Sequence, residues 1–282
     1  MSNSFGATVA KRRLSRRLAE LRTDSGHTAN QVCDKLGWGR GKVGRFEANA
    51  WRLPQLSDIR DLCRFYGVSE DEQNELEELA RLARARQWWR EYADVFGDSE
   101  YPGFEADATR ICVYMPLILP GLLQTPAYID AYMRVGPKPP EWRERALEAR
   151  LRRQEILTRA TGRPDLVAVI TEASLMYRWG TPADRRAQVE HLVEMGARPN
   201  VELRMITFDS GPHPGMSSLI SIFDFPGDEP SMVFLENDSA LQEVNTPEEV
   251  DAYALTFGRI REAALDAPAT AARLERLAAQ LE

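Results

Sequence analysis

Arg40, Lys42 and Arg45 stand within six residues of one another, interleaved with Gly39, Gly41 and Gly44. Cations at this spacing on one short helix can hold anionic oxygens. An Arg fork can also take both acceptors on a guanine edge. Phosphate contact and base contact are open for each of the three. For Arg45 a third reading stands beside them, a structural ion pair with Glu47 or Asp34. Thr28, Gln31 and Arg52 add donors on either side, and the side-chain-free Gly41 and Gly44 complete the candidate set.

Rival chemistries are weaker. Gly39, Gly41 and Gly44 spell GxGxxG, but a dinucleotide site needs a strand before it, and a helix precedes this one. Lys42 is followed by Val43, so a phosphate-binding P-loop fails too. His27, His191 and His213 are too scattered for a metal cluster, and Ser217 and Ser218 lack a nucleophile elbow. Glu172 and Glu236 fall at expected strand ends and can face one pocket. Paired carboxylates do acid–base work, but they more often cap helices or bind a partner's Arg. No enzyme, cofactor or metal is expected.

The elements that must position the cations follow from periodicity. Leu14, Leu18 and Leu21 form one apolar stripe on a first helix, which Gly26 ends. Thr28 with Gln31 is a capping box that starts a second helix, with Val32, Cys33 and Leu36 inward. Gly37 supplies a sharp turn. A third helix carries Val43 and Phe46 inward, and its three glycines, at roughly 0.5–1 kcal/mol each, make it weak alone. Pro54 opens a further helix with Leu56, Ile59, Leu62, Cys63 and Tyr66 as its stripe, closed by Gly67. Helices two and three form a helix-turn-helix, whose attested job is to lay a helix in the DNA major groove.

Charge agrees. Residues 1–67 hold 13 Lys and Arg against 6 Asp and Glu, net +7, although the whole chain is −7. A cationic head on an acidic body suits phosphate binding at one end. The plainer reading of Lys11–Arg17 is a solvated helix face. At 282 residues and 43% hydrophobic, the chain can fill one large or two medium cores. Nothing is apolar enough to span a membrane, and the N-terminus lacks a signal-peptide core, so the location expected is cytoplasmic. Cys33, Cys63 and Cys112 are widely spaced, and the first two read as buried core thiols.

Beyond Gly67, Ser69 and Glu72 cap a charged helix expected to reach about Tyr92, where Trp88 and Trp89 would dock a bridge onto the next domain. Residues 97–103 read as a loop and 108–114 as a strand. Thr125 and Pro126 start a helix, and a long helix runs over 141–160. Strands are expected at 166–170, 201–206, 219–225, 232–235 and 241–244. Helices begin at Thr181, Thr246 and Pro268. With no regular βαβ repeat, this half is expected to be α+β, a mixed, mostly antiparallel sheet flanked by helices behind an all-α head. The domains are then 8–80 for the helix-turn-helix, 81–100 for a helical bridge, and 101–282 for a signal-receiving or partner-binding domain.

Thr28, Leu36, Gly37, Trp38, Lys42, Val43, Arg45, Glu47, Pro54 and the run Tyr66 to Ser69 resemble the Xre, phage-repressor-type helix-turn-helix of actinomycete regulators. Ala29 departs from that pattern, which has Gln there, and the three glycines replace serines. Pro120 to Thr125 with Tyr128, Arg153 with Gln154, Thr171 to Leu175, Gly211 to His213 and Val233 to Glu236 resemble a C-terminal domain found behind that head. Together the halves are similar to WhiJ-like and antitoxin-like regulators.

The resemblance implies a homodimeric repressor on an inverted-repeat operator in double-stranded DNA. Its C-terminal domain would take a signal from a small partner protein encoded next door or from a small-molecule effector, with Gln124, Tyr128, Arg153, Glu172, His213 and Glu236 as candidate contacts. The competing expectation, motivated by Ala29 and the glycines, is an antitoxin-like module that sequesters a small partner, with DNA binding secondary.

Overall fold

The computed structural model describes residues 5–51, 53–216, 218–236 and 241–281. The chain forms two compact units, one of Met1–Arg90 with Glu100–Asp107, the other of Glu91–Ser99 with Ala108–Glu282.

The first unit is helical: α1 Ala7–Asp24, α2 Ala29–Lys35, α3 Lys42–Glu47, α4 Leu56–Tyr66 and α5 Glu70–Leu82. Leu14, Leu18, Val32, Cys33, Val43, Phe46, Ile59, Leu62 and Leu76 share one buried core. All of these but Leu76 are inward positions read from the periodicity, and Tyr66 is only partly buried. Leu36 and Leu56 pack at its margin, half-buried. The fourth helix starts at Leu56, two residues later than Pro54.

Three expectations change at the end of this unit. The charged helix stops at Leu82 instead of reaching Tyr92, and residues 88–92 make a 3-10 turn. Residues 101–107 form a helix, α7, whose first three residues fall in the expected loop 97–103. Trp89 is 4% exposed and packs within the first unit, its ring beside Gly103 of that helix. It is an apolar anchor within the first unit. Helix α7 also completes α1: the Asp107 carboxylate accepts from Thr8 N and Val9 N, both at 3.0 Å. An acid placed on the free N–H groups of a helix start complements its dipole. Only Gly fits at residue 6, because a Cβ there would lie 1.7 Å from Asp107 Oδ1.

The second unit is built on a six-stranded sheet in the order β3-β2-β1-β4-β5-β6. The strands are β1 Arg110–Met115, β2 Asp165–Thr171, β3 Val201–Ile206, β4 Ile220–Asp224, β5 Met232–Glu236 and β6 Leu241–Val244. Three of the five pairings are antiparallel, as expected of a mixed sheet. The other two, β1 with β2 and β2 with β3, are parallel.

A short helix, α6 (Ala93–Phe96), precedes β1. The two parallel crossovers carry α8 (Pro126–Met133) with α9 (Pro140–Gln154), then α10 (Ala173–Met176) with α11 (Pro182–Gly196). Half the sheet is therefore a βαβαβ run, contrary to the expectation of no such repeat. The run was hidden because its first crossover holds two helices and a long loop. The long helix also ends six residues earlier than read, at Gln154. Helix α12 (Pro247–Ala263) packs Phe257 and Ile260 on the sheet core with Tyr114, Val169 and Val233. Helix α13 (Ala267–Gln280) packs against α11 and β3. Among the described residues no helix is long and apolar enough to cross a membrane.

Candidate nucleic-acid interface

Thr28 caps α2 as its sequence predicted. Its Oγ1 accepts from Gln31 N (3.3 Å), and Gln31 Oε1 accepts from Thr28 N (2.8 Å). The chain then turns through Gly37, at φ +67°, into α3. Gly41 is the N-cap of α3 at φ +80°, a left-handed value that L side chains rarely adopt. Of the three glycines thought to weaken this helix, Gly39 precedes it, Gly41 is required for its start, and Gly44 alone lies inside. The expected cost of three interior glycines falls to that of one.

Val43 and Phe46 are buried, 1% and 5% exposed, which leaves Lys42 and Arg45 on the outer side of α3. These two cations are not equivalent. Lys42 Nζ donates to Asp58 Oδ1 at 2.7 Å and lies 4.1 Å from the centre of the Trp38 ring. Arg45 is exposed, and its guanidinium has no ion pair or hydrogen bond among the described residues. The acid proposed to hold it, Glu47, accepts instead from Arg22 Nε at 2.6 Å. Arg40 is likewise exposed and unpaired among the described residues. Arg52 lies outside the described residues.

The basic first helix is largely committed. Lys11 pairs with Glu100 (2.9 Å), Arg13 with Glu75 (3.3 Å), Arg16 with Glu20 (3.2 Å), and Arg17 with Glu20 and Glu72. Of these acids, Glu72 and Glu75 lie on α5 and Glu100 immediately before α7. The whole first unit holds 17 basic and 15 acidic side chains, net +2. The positive surface is therefore narrower than the sequence suggested, and among the described residues the unpaired guanidinium groups of Arg40 and Arg45 sit on α3 and the turn before it.

In the second unit the six candidate contacts fall in different places. Gln124 is buried. Its Nε2 donates to Leu119 O (2.7 Å), and its Oε1 accepts from Arg150 (2.8 Å). Gln154 and Gln188 hold the same turn by its carbonyls at Gly121, Gln124 and Leu123. Burial beside Arg153 pushes the Arg150 pKa down. Glu236 adds an acid to that neighbourhood.

Glu172 is 4% exposed, pairs with Arg273 of α13 and accepts from Phe208 N (3.1 Å). Burial raises its pKa, but the Arg273 and amide bonds outweigh that and hold it below the usual range. His213 Nε2 meets the buried Tyr114 hydroxyl at 2.9 Å. Glu172 and Glu236 stand at the ends of β2 and β5, which are not neighbours in the sheet. Among the described residues no three His, Cys, Asp or Glu converge on a possible metal position.

Tyr128 does line a pocket. Its hydroxyl accepts from Leu119 N (3.2 Å) and its ring meets Trp179 edge-on at 5.0 Å. Together with Leu117, Tyr132, Val135 and Tyr177 these rings enclose about 340 Å³. Tyr128 alone of these residues was legible as a contact, because the lining comes from three separated loops and helix ends with no shared spacing.

Residues 13–76 match the family model described as a helix-turn-helix domain, and residues 99–276 match the one described as a domain of unknown function, DUF5753. No curated protein and no solved structure matches the chain.

Proposed function

Because the chain belongs to the DUF5753 family and carries a helix-turn-helix DNA-binding domain of the kind used in transcription regulation, we propose that it is a cytoplasmic repressor of the Xre type, controlled through its second unit. It binds double-stranded DNA as a homodimer, with each α3 in one major groove of an inverted repeat about 34 Å apart. Arg40 and Arg45 supply base-edge or phosphate contacts, and Gln31 and Arg52 add backbone contacts. A small partner protein or small-molecule effector on the second unit changes the spacing of the two heads and so the DNA affinity.

One observation carries the reading. Arg45 projects unpaired from the outer side of α3, whereas most of the other basic side chains of this unit are matched by acids. Surface Arg with no internal partner is the group a helix-turn-helix needs for an outside acceptor.

The competing reading, an antitoxin-like module that sequesters a partner, draws on the shortness of α3, six residues with Gly44 in its middle. A gel-shift assay on the chain's own promoter separates the two. Repression predicts a sequence-specific shift that disappears on Arg40→Ala with Arg45→Ala. Absence of any shift at moderate salt, with tight capture of the protein encoded next door, overturns it.

A further inference from the structure

We propose that the pocket between α8 and the segment after α10 is a binding site for a compact aromatic carboxylic acid. It deepens the control proposed above by giving the small-molecule arm a seat, and rests on that reading for its regulatory role.

The pocket has the build of a ligand site. Its volume of about 340 Å³ falls in the range that holds small organic ligands, and its walls are apolar and aromatic. The floor is fixed. Tyr128 is tied through its hydroxyl to the Leu119 amide and braced edge-on by Trp179. The rim, by contrast, is exposed apolar surface: Leu117 is 54% exposed, Tyr177 56% and Val135 87%. Large apolar side chains gathered in water around a concavity are what a bound apolar group would cover.

The polar groups at the pocket set the ligand's other end. Arg178 lines it, exposed, with no ion pair or hydrogen bond among the described residues. No Asp or Glu lines it. The neighbouring Arg134 is committed to Asp130 at 2.7 Å. The phenol groups of Tyr132 and Tyr177 have no hydrogen-bond partner among the described residues. One residue with an unpaired guanidinium and two with unpartnered hydroxyls are therefore among those that line an aromatic slot. The second unit holds 19 basic and 28 acidic side chains, which makes an uncommitted cation there a point of anion selectivity. Planar rings stack on Tyr and Trp, and a carboxylate takes the Arg fork.

The test uses the full chain and two fluorescent probes of one shape, anionic 8-anilinonaphthalene-1-sulfonate and neutral N-phenyl-1-naphthylamine. Both should bind saturably with blue-shifted emission. Arg178→Ala should weaken the anionic probe about tenfold and leave the neutral one within about twofold. Val135→Glu, a change at a solvent-exposed position that leaves folding intact, should weaken the anionic probe as well. Absence of a saturable signal, or equal responses of both probes to Arg178→Ala, overturns the site. Occupancy by a partner protein alone would give that first result. DNA affinity measured on the same samples without probe reports separately on the regulator reading.

Discussion

Arg22 Nε lies 2.6 Å from Glu47 Oε1, a tie from the end of α1 to the end of α3. It consumes the acid two residues beyond Arg45 and leaves that guanidinium outward. The two arginines should respond differently to truncation. Arg22→Ala leaves Glu47, 14% exposed at its side chain, without its cation and should lower stability by about 1–2 kcal/mol. Arg45→Ala should stay within about 0.5 kcal/mol of the parent chain. Urea denaturation of the two variants checks this.

Gly41 and Gly44 make an opposed pair. Gly41 holds φ +80°, and Gly41→Ala should cost about 1–2 kcal/mol. Gly44 lies in the helix with open space where a Cβ would go. Gly44→Ala should therefore stabilise the fold by about 0.5–1 kcal/mol. Thermal melts of both variants, read by circular dichroism, should move in opposite directions.

Lys42 is held by Asp58 at 2.7 Å. Asp58→Asn removes that acid while keeping its shape. DNA affinity should rise, and the slope of log affinity against log salt should steepen by about 0.9 if Lys42 then reaches a phosphate. Fluorescence anisotropy across a salt series gives both numbers. An unchanged slope would mean that Lys42 serves the fold alone.

Acid should loosen the first unit through Glu77. Hydrogen bonds from Arg60 (2.8–2.9 Å) and Gln73 (2.9 Å), with burial opposing them and Arg81 alongside, hold its carboxyl down to about 2 from an ordinary value of 4.5. A value depressed on folding gives stability that is present above the unfolded value and lost as pH falls through the folded one. Stability should therefore decline between about pH 4.5 and pH 2, and Glu77→Gln should flatten that part of the curve. Denaturant midpoints measured across that window test it.

The head was legible in the sequence because its signals are local. Thr28 and Gln31 cap α2 within three residues, and Leu14, Leu18, Val43 and Phe46 bury at helical spacing. What was illegible depends on distant chain. Nothing near Gly6 announces that Asp107 will close the start of α1. Trp89 reads as apolar but not as apolar toward Gly103. The charge of residues 11–17 looked free because its acids come from α5 and from Glu100, ahead of α7, as well as from α1 itself. In the second unit each strand was legible near its observed place, but pairing was not. The parallel run of β1, β2 and β3 pairs strands that whole helices separate along the chain. Of its candidate contacts, Tyr128 lines a pocket, whereas Gln124 and Glu172 are committed to internal hydrogen bonds.

The central claim is that α3 and the turn before it grip DNA through Arg40 and Arg45. Its most direct measurement is the salt dependence of binding to the chain's own promoter DNA, by fluorescence anisotropy, for the parent and for Arg40→Ala with Arg45→Ala. Specific binding should fall by about a hundredfold or more in the double variant, and its salt slope should shrink by up to about 1.8. Equal affinity and equal slope in the two chains, with folding intact, would contradict the account.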